Sequence, residues 1–293
     1  MVICGFLALD KPAGPSSHGC VAQVRRVYGI KRVGHGGTLD PAVTGVLPIA
    51  LGPATRLLAY LPGDKGYHAT IQLGVRTDTD DLQGAVLSRH DLPSALEALA
   101  LDKILDAFRG AIEQRPPSVS AVHVEGKRAY SLARQGKAPV LAPRPVTVHQ
   151  LALLRWDPLI GQLDLDVLCS AGTYIRSLAR DLGDILGCGA ALARLRRTRA
   201  LGFTLSQCVG LEELTQAPPI PLDPLAVLAH LPRHRLDVAE LAGWRCGRPQ
   251  LAPEAWPLGA SVLMVDPDGK LAGVAAVEDG GVLRPRLVLE ARG

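Results

Sequence analysis

One stretch constrains the fold more than any other: Gly34-His35-Gly36-Gly37-Thr38-Leu39-Asp40-Pro41-Ala42-Val43-Thr44-Gly45. Gly34, Gly36 and Gly37 ahead of one carboxylate imply a tight backbone that a large group can approach closely. The Asp-Pro step then sets the chain direction just beyond that carboxylate. Between Asp10 and Asp40 lie Lys11, Arg25, Arg26, Lys31 and Arg32, with no acid among them. A carboxylate in a glycine turn among cations is a group that an active site would keep ionised. As a purely structural residue, Asp40 would instead cap a helix with Pro41 in its first turn. Gly45 and Pro48 make the following residues a poor helix, so a rigid turn leading into a buried strand, Val46 to Leu51, is expected.

A chain of 293 residues has room for one large domain and a small one. With 47% apolar and 20% charged residues it reads as an ordinary globular protein. Its apolar runs fall short of the about 20 residues that cross a bilayer. Residues 1–9 lack a basic leader and run into Asp10-Lys11, so a cytoplasmic protein with no membrane partner is expected. Cys4, Cys20, Cys169, Cys188, Cys208 and Cys246 form no Cys-x-x-Cys pair and read as reduced thiols, suggesting no metal site. The net charge of +4 identifies no partner, but its distribution is informative. Six Lys/Arg face one acid, Glu125, from Arg115 to Arg144, and Arg194, Arg196, Arg197 and Arg199 stand without an acid from Leu186 to Gly202. With the stretch before Asp40 these suit a polyanion lying across the surface, although each alone would read as a solvated face.

Leu7-Ala8-Leu9 reads as a strand, and Ser16 or Ser17 as the cap of a helix carrying Val21, Val24, Val27 and Tyr28 on one side. A short apolar helix is expected from Thr55 to Leu61, and a strand from Tyr67 to Leu73. Tyr67 at its start is edge-of-core packing by default, or a platform for a splayed base beside a nucleic-acid pocket. Thr77-Asp78-Thr79-Asp80-Asp81 reads as a solvated acidic turn whose spacing fails as a calcium loop. Leu96 to Phe108 reads as a helix stopped by Gly110. Residues 115–145 form a long, cationic, Pro-bounded excursion, and Tyr130, Leu132 and Ala133 within it favour a binding loop. Val146–Leu154 and Leu163–Cys169 read as paired strands leading to a helix with Ile175, Leu178, Leu182 and Ile185 inward. Tyr174 and Arg176 then project from a strand-to-helix junction, where enzymes display working residues. Arg180 and Asp184 have the spacing of a helical ion pair. Another strand is expected from Leu201 to Leu205. A boundary near residue 230 precedes a β-meander: Ser261–Val265, Leu271–Val277 and Val282–Leu289.

Together these segments resemble the tRNA pseudouridine synthase B (TruB) family. The resemblance is carried by Leu9-Asp10-Lys11-Pro12, Gly34 to Gly45, Leu73-Gly74 with Thr77 to Asp80, Gly126-Lys127-Arg128-Ala129-Tyr130, Gly172-Thr173-Tyr174-Ile175-Arg176 and Arg194-Leu195-Arg196-Arg197-Thr198. It covers about residues 5 to 205, and the tail resembles a PUA domain through Leu283-Arg284-Pro285-Arg286. It implies an α/β (α+β) fold, with a mixed, largely antiparallel sheet, flanking helices and a cleft across its middle. Residues 1–230 would form the catalytic domain, with an RNA-binding insertion at about 115–145, and residues 231–293 a small β-rich, PUA-like RNA-binding domain. The implied activity is isomerisation of uridine 55 in the TΨC arm of tRNA to pseudouridine, by a monomer without cofactor or metal. By the same resemblance Asp40 is the nucleophile, Arg176 pairs with it, and Tyr67 packs on the target base. Tyr174 and Leu195 would line the pocket, His35 would fill the space left by the extruded nucleotide, and Lys11 would support the site. Lys127, Arg128, Tyr130, Arg134, Arg196 and Arg197 would meet the RNA. The family commonly has Gly-His-Thr-Gly where this chain has Gly34-His35-Gly36-Gly37, which would loosen the turn by one side chain. It also often has a Tyr near Val119 and a Lys near His123.

The chemistry agrees with these residues. Moving a uracil from a nitrogen to a carbon linkage on ribose needs one ionised carboxylate and a base taken out of its stack. Two rivals stand beside this reading. One is an RNA-binding or tRNA-remodelling factor whose binding role outweighs catalysis. The other is a nucleotide-binding enzyme, but the glycine turn fits neither G-x-G-x-x-G nor G-x-x-x-x-G-K-[ST].

Overall fold

The computed structural model describes residues 3–93, 96–120, 122–124, 126–133, 135–136, 139–252 and 256–290, without the side chains of Leu99, Lys127, Arg128 and Tyr130. The strands are β1 (Gly5–Lys11), β2 (Val33–His35), β3 (Thr44–Leu51), β4 (Lys65–Leu73), β5 (Val75–Thr77), β6 (Val86–Arg89), β7 (Gly110–Gln114), β8 (His123–Val124), β9 (Lys127–Arg128), β10 (Arg144–Asp157), β11 (Gln162–Cys169), β12 (Ala190–Ala200), β13 (Phe203–Thr204), β14 (Cys208–Gly210), β15 (Arg233–Arg235), β16 (Gln250–Leu251), β17 (Ser261–Val265), β18 (Leu271–Glu278) and β19 (Val282–Val288). The helices are α1 (Ser17–Tyr28), α2 (Ala98–Leu105), α3 (Ala129–Ala133), α4 (Ile175–Ile185), α5 (Leu211–Gln216), α6 (Pro224–Val227) and α7 (Val238–Arg245).

The central sheet runs β14-β1-β3-β12-β4-β11-β10-β7, with β2 on β3 and β13 on β12. Within this sheet only the β12–β3 and β1–β14 pairs are parallel among the described strands, so the sheet is mixed and largely antiparallel, as the resemblance implies. Period-two alternation decides its faces. Leu163, Leu165, Val167 and Cys169 of β11 turn inward beside Tyr67, Ala69, Ile71 and Leu73 of β4, and Leu178 and Leu182 of α4 close this core. A second core sets Val21 and Val24 of α1 against Leu9, Leu47 and Ile49. Ser16 accepts from Gly19 N to cap α1, and Gly29 at φ +64° ends it.

Several expected elements differ in kind or length. The Thr55–Leu61 helix is a 3-10 segment, Gly52–Tyr60, with Pro53 at its start. The Leu96–Phe108 helix shortens to α2 plus a 3-10 turn. The strand expected from Leu201 begins later, because Leu201 itself turns at φ +53°, leaving only β13.

The tail holds a five-stranded sheet, β15-β17-β18-β19-β16, around Trp244, Val262, Met264 and Leu283. Packing runs without a break across the stretch near residue 230. Leu225, Leu228, Leu263, Val274 and Leu287 share one apolar core with Phe6, Val46, Leu57 and Phe203. Of the excursion at 115–145, the structure describes the β8–β9 hairpin and α3, over a small cluster of Val122, Ala129 and Leu141. No helix among the described residues is long and apolar enough to cross a membrane.

Candidate active site

The Asp40 turn is built from its neighbours. Gly36 N donates to Pro48 O (2.8 Å), and Gly37 takes φ +96°. The Ser17 hydroxyl accepts from Leu39 N (2.8 Å) and donates to Leu39 O (3.0 Å). Val43 N donates to Asp40 O (3.0 Å), which closes a turn over Pro41 and Ala42. Asp40 is therefore no helix cap, and β3 begins at Thr44. Beneath lies Lys11, wholly buried, its Nζ donating to the carbonyls of Pro12 (2.9 Å), Pro41 (3.1 Å) and Val43 (2.7 Å). Burial lowers its pKa, and three carbonyls supply what water would otherwise give the ammonium.

From the first turn of α4, Arg176 reaches this turn. Its Nη2 lies 3.5 Å from Asp40 Oδ2, with the Arg176 side chain 14% exposed and the Asp40 side chain 59%. The guanidinium also donates to Val119 O (2.9 Å) and Thr79 O (3.2 Å), and meets Asp81 Oδ2 at 3.4 Å. One edge of the Asp40 carboxylate is thus oriented by a nearly buried cation while the other faces outward. The acidic Thr77–Asp81 segment is not the solvated turn expected of it. Asp81 faces Arg176, and Asp80 pairs with Arg180 at 3.0 Å. Burial raises the Asp80 pKa against the pull of Arg180. The expected Arg180–Asp184 pair does not form, since Arg180 takes Asp80 and Asp181 while Asp184 takes Arg76.

Tyr67, in β4, is 7% exposed, and burial pushes its pKa up to about 12 against the opposing pull of the Arg197 guanidinium. Arg197 stands opposite it in the β12–β4 register. This guanidinium is 1% exposed and donates to Val46 O (2.7 Å) and Gly37 O (3.1 Å). Arg197, expected at the RNA surface, is instead an internal strut between the tyrosine and the glycine turn. Its neighbour Arg196 points the other way and pairs with Asp10 at 2.6 Å.

The remaining expected residues divide. His35 is half-buried, its Nδ1 without a hydrogen-bond partner among the described residues, and the His18 ring stands edge-on at 5.2 Å. Burial, then His18, lowers its pKa, so the ring is neutral at pH 7. Leu195 lies on β12 opposite Ala69 and packs on the central core. Tyr174 caps α4, and its peptide is gripped at both ends by Gln114, whose Oε1 accepts from Tyr174 N (2.8 Å) and whose Nε2 donates to Tyr174 O (3.1 Å). Its side chain joins the Val122, Ala129 and Leu141 cluster. Lys127 and Arg128 form β9 and Tyr130 lies in α3, while Arg134 falls outside the described residues. Sequence reasoning missed Asp81 and Gln114, whose partners lie far along the chain. It also missed what occupies the space beside Gly36. Leu201 Cδ1 sits where a Gly36 Cβ would be, so the turn is filled from outside rather than loosened.

The arrangement offers one outward-facing carboxylate held by a guanidinium, over a backbone turn fixed from below, with a buried phenol nearby. Residues 25–175 match the family described as TruB family pseudouridylate synthase (N terminal domain), and residues 176–219 match the tRNA pseudouridylate synthase B C-terminal domain. The chain is 58% identical to tRNA pseudouridine synthase B of Parasynechococcus marenigrum, over 99% of this chain and 98% of that one. It is 54% identical to the protein of that name from a Synechococcus strain, with the same coverage of each. Among solved structures it resembles a chain of a Cbf5-Nop10-Gar1 complex, with a TM-score of 0.75 and 26% identity over 98% of this chain and 85% of that one. A chain of an H/ACA RNP bound to a substrate RNA containing 2'-deoxyuridine gives a TM-score of 0.73 at 25% identity, over 97% of this chain and 84% of that one. The chain belongs to the TruB family of tRNA pseudouridine synthases.

Proposed function

We propose that the protein isomerises uridine 55 in the TΨC arm of tRNA to pseudouridine, with Asp40 as nucleophile, acting as a cytoplasmic monomer. The observation that carries this reading is the Asp40–Arg176 contact at 3.5 Å, with the carboxylate facing outward. The uracil leaves its stack and packs on Tyr67, while His35 takes the vacated space. Asp40 adds to the sugar or the base as the N1–C1' bond breaks. C1' then bonds to C5, the bond to Asp40 breaks and returns its electron pair to the carboxylate, the C5 proton departs and N1 takes one up, so no oxidant or cofactor enters the balance. Tyr174 and Leu195 line the pocket, and Lys127, Arg128, Tyr130, Arg134 and Arg196 meet the RNA backbone.

The test is Asp40→Asn protein mixed with undermodified tRNA. Pseudouridine formation is expected to fall on the order of 10⁴-fold, with tRNA affinity within about threefold of wild type. Full conversion by the variant removes Asp40 from the nucleophile's role. Wild-type protein that binds tRNA but never converts it is a binding factor instead.

A further inference from the structure

Lys65 opens β4, two residues before Tyr67, and is half-buried. Its Nζ lies 3.7 Å from the point a Cβ on Gly37 would occupy, and Arg197 Nη1 lies 3.5 Å from the same point. Two cations therefore converge over a bare glycine, three residues before Asp40. The other cations of the site have their acceptors: Lys11 three carbonyls, Arg197 two, and Arg176 two carbonyls and two carboxylates. The Lys65 ammonium has neither an acceptor nor a carboxylate among the described residues, and the groups that act on it are Arg197 and the Cys169 thiol. Burial pushes that thiol up to about 11, so it is neutral. Asp64, the adjacent acid, is turned to His149 at 3.2 Å. Burial first, then Arg197, lowers the Lys65 pKa. A lysine serving only solubility extends its ammonium into water; this one is held beside a like charge with no anion to offset it. Bringing an anion there relieves the repulsion and satisfies the free donors.

We propose that Lys65, with Arg197 behind it, binds a backbone phosphodiester of the RNA at Gly37, next to the nucleotide being isomerised. This rests on the RNA-modifying reading above. Arg197 contributes charge from its buried position, and Lys65 makes the direct contact. Glycine at position 37 leaves the backbone bare where the phosphodiester approaches.

The test measures affinity of a TΨC stem-loop RNA for wild type, Lys65→Gln and Lys65→Arg across a salt series, beside turnover at saturating RNA. Lys65→Gln is expected to bind about tenfold more weakly at low salt. The slope of log Kd against log salt should fall by about one, and Lys65→Arg should keep most of both. Neutral methylphosphonates placed singly around the target uridine should include one position that costs wild type about the same factor and Lys65→Gln nothing further. Melting temperatures establish that both variants fold. Unchanged affinity and slope in Lys65→Gln overturn the proposal. So does lost turnover at unchanged affinity, which would assign Lys65 to the chemistry or to holding the turn. If wild type binds no stem-loop at all, the RNA-modifying reading itself falls first.

Discussion

Between Leu39 and Val43 the backbone is held from elsewhere in the chain. Ser17 takes both polar groups of Leu39, Lys11 takes the carbonyls of Pro41 and Val43, and Gly14 N adds a second bond to Pro41 O. The middle of the excursion at 115–145, from Val122 to Ala133, is fixed far more thinly in its described part. Its hairpin pairs two residues with two, Ala129 N donates to Val122 O, and the apolar cluster it packs on is Val122, Ala129 and Leu141. Arg176 touches the turn through Asp40 and the excursion through Val119 O. On the proposed function, the comparison separates what a reacting centre needs from what its access needs. A carboxylate must be positioned before substrate arrives, while a segment with few buried contacts opens at low free energy and admits a bulky ligand.

The largest expected effect comes from taking away the floor of the turn. Lys11→Met takes the ammonium from three carbonyls, of which, among the described residues, only Pro41 O keeps a second donor in Gly14 N, and should cost about 3 kcal/mol, read as a lower urea midpoint at constant slope, with turnover lost. A cost below about 1 kcal/mol would mean the turn holds itself. Next is Gly36→Thr, whose Cβ meets Leu201 Cδ1. It should cost about 2 kcal/mol by overpacking, and adding Leu201→Ala should recover more than half of that in the same titration. The third effect appears with alkali. The folded protein holds the Tyr67 proton to about pH 12, against a usual 10. Stability present below pH 10 is therefore lost between pH 10 and about 12, and Tyr67→Phe should lose about 1 kcal/mol less than wild type by pH 11. The smallest effect is in the excursion. Val122→Ala should shift global stability by less than about 0.5 kcal/mol while amide exchange at Ala129 quickens severalfold. A loss of about 2 kcal/mol, ordinary for a core truncation, would show that the excursion unfolds with the sheet and would end the contrast.

Much of the fold was legible where one physical signal ruled. Alternation along Leu163, Leu165, Val167 and Cys169 marked β11 and its buried face, and the glycines and Pro41 marked a turn rather than a helix at Asp40. What sequence left hidden lies in residues whose surroundings come from distant strands. Arg196 and Arg197 are chemically alike, yet one pairs with Asp10 outside and the other is buried against Tyr67. Asp10 and Lys11 divide in the same way. Parity along β12 is broken by irregularities between Leu192 and Arg194 and between Arg197 and Arg199, so alternation could not assign its arginines to faces. Asp80 and Asp81 looked solvated because the arginines that meet them lie about a hundred residues on. Leu201 filling the space beside Gly36 depends on a left-handed turn at a leucine, which few sequences announce.

The apolar seam joining Phe6, Leu57 and Phe203 to Leu263, Val274 and Leu287 has a mechanical consequence. Packed side chains transmit position as a flexible tether does not, so the end sheet stands at a set span and angle from Asp40. A nucleic acid gripping both would be measured as if between the jaws of a calliper.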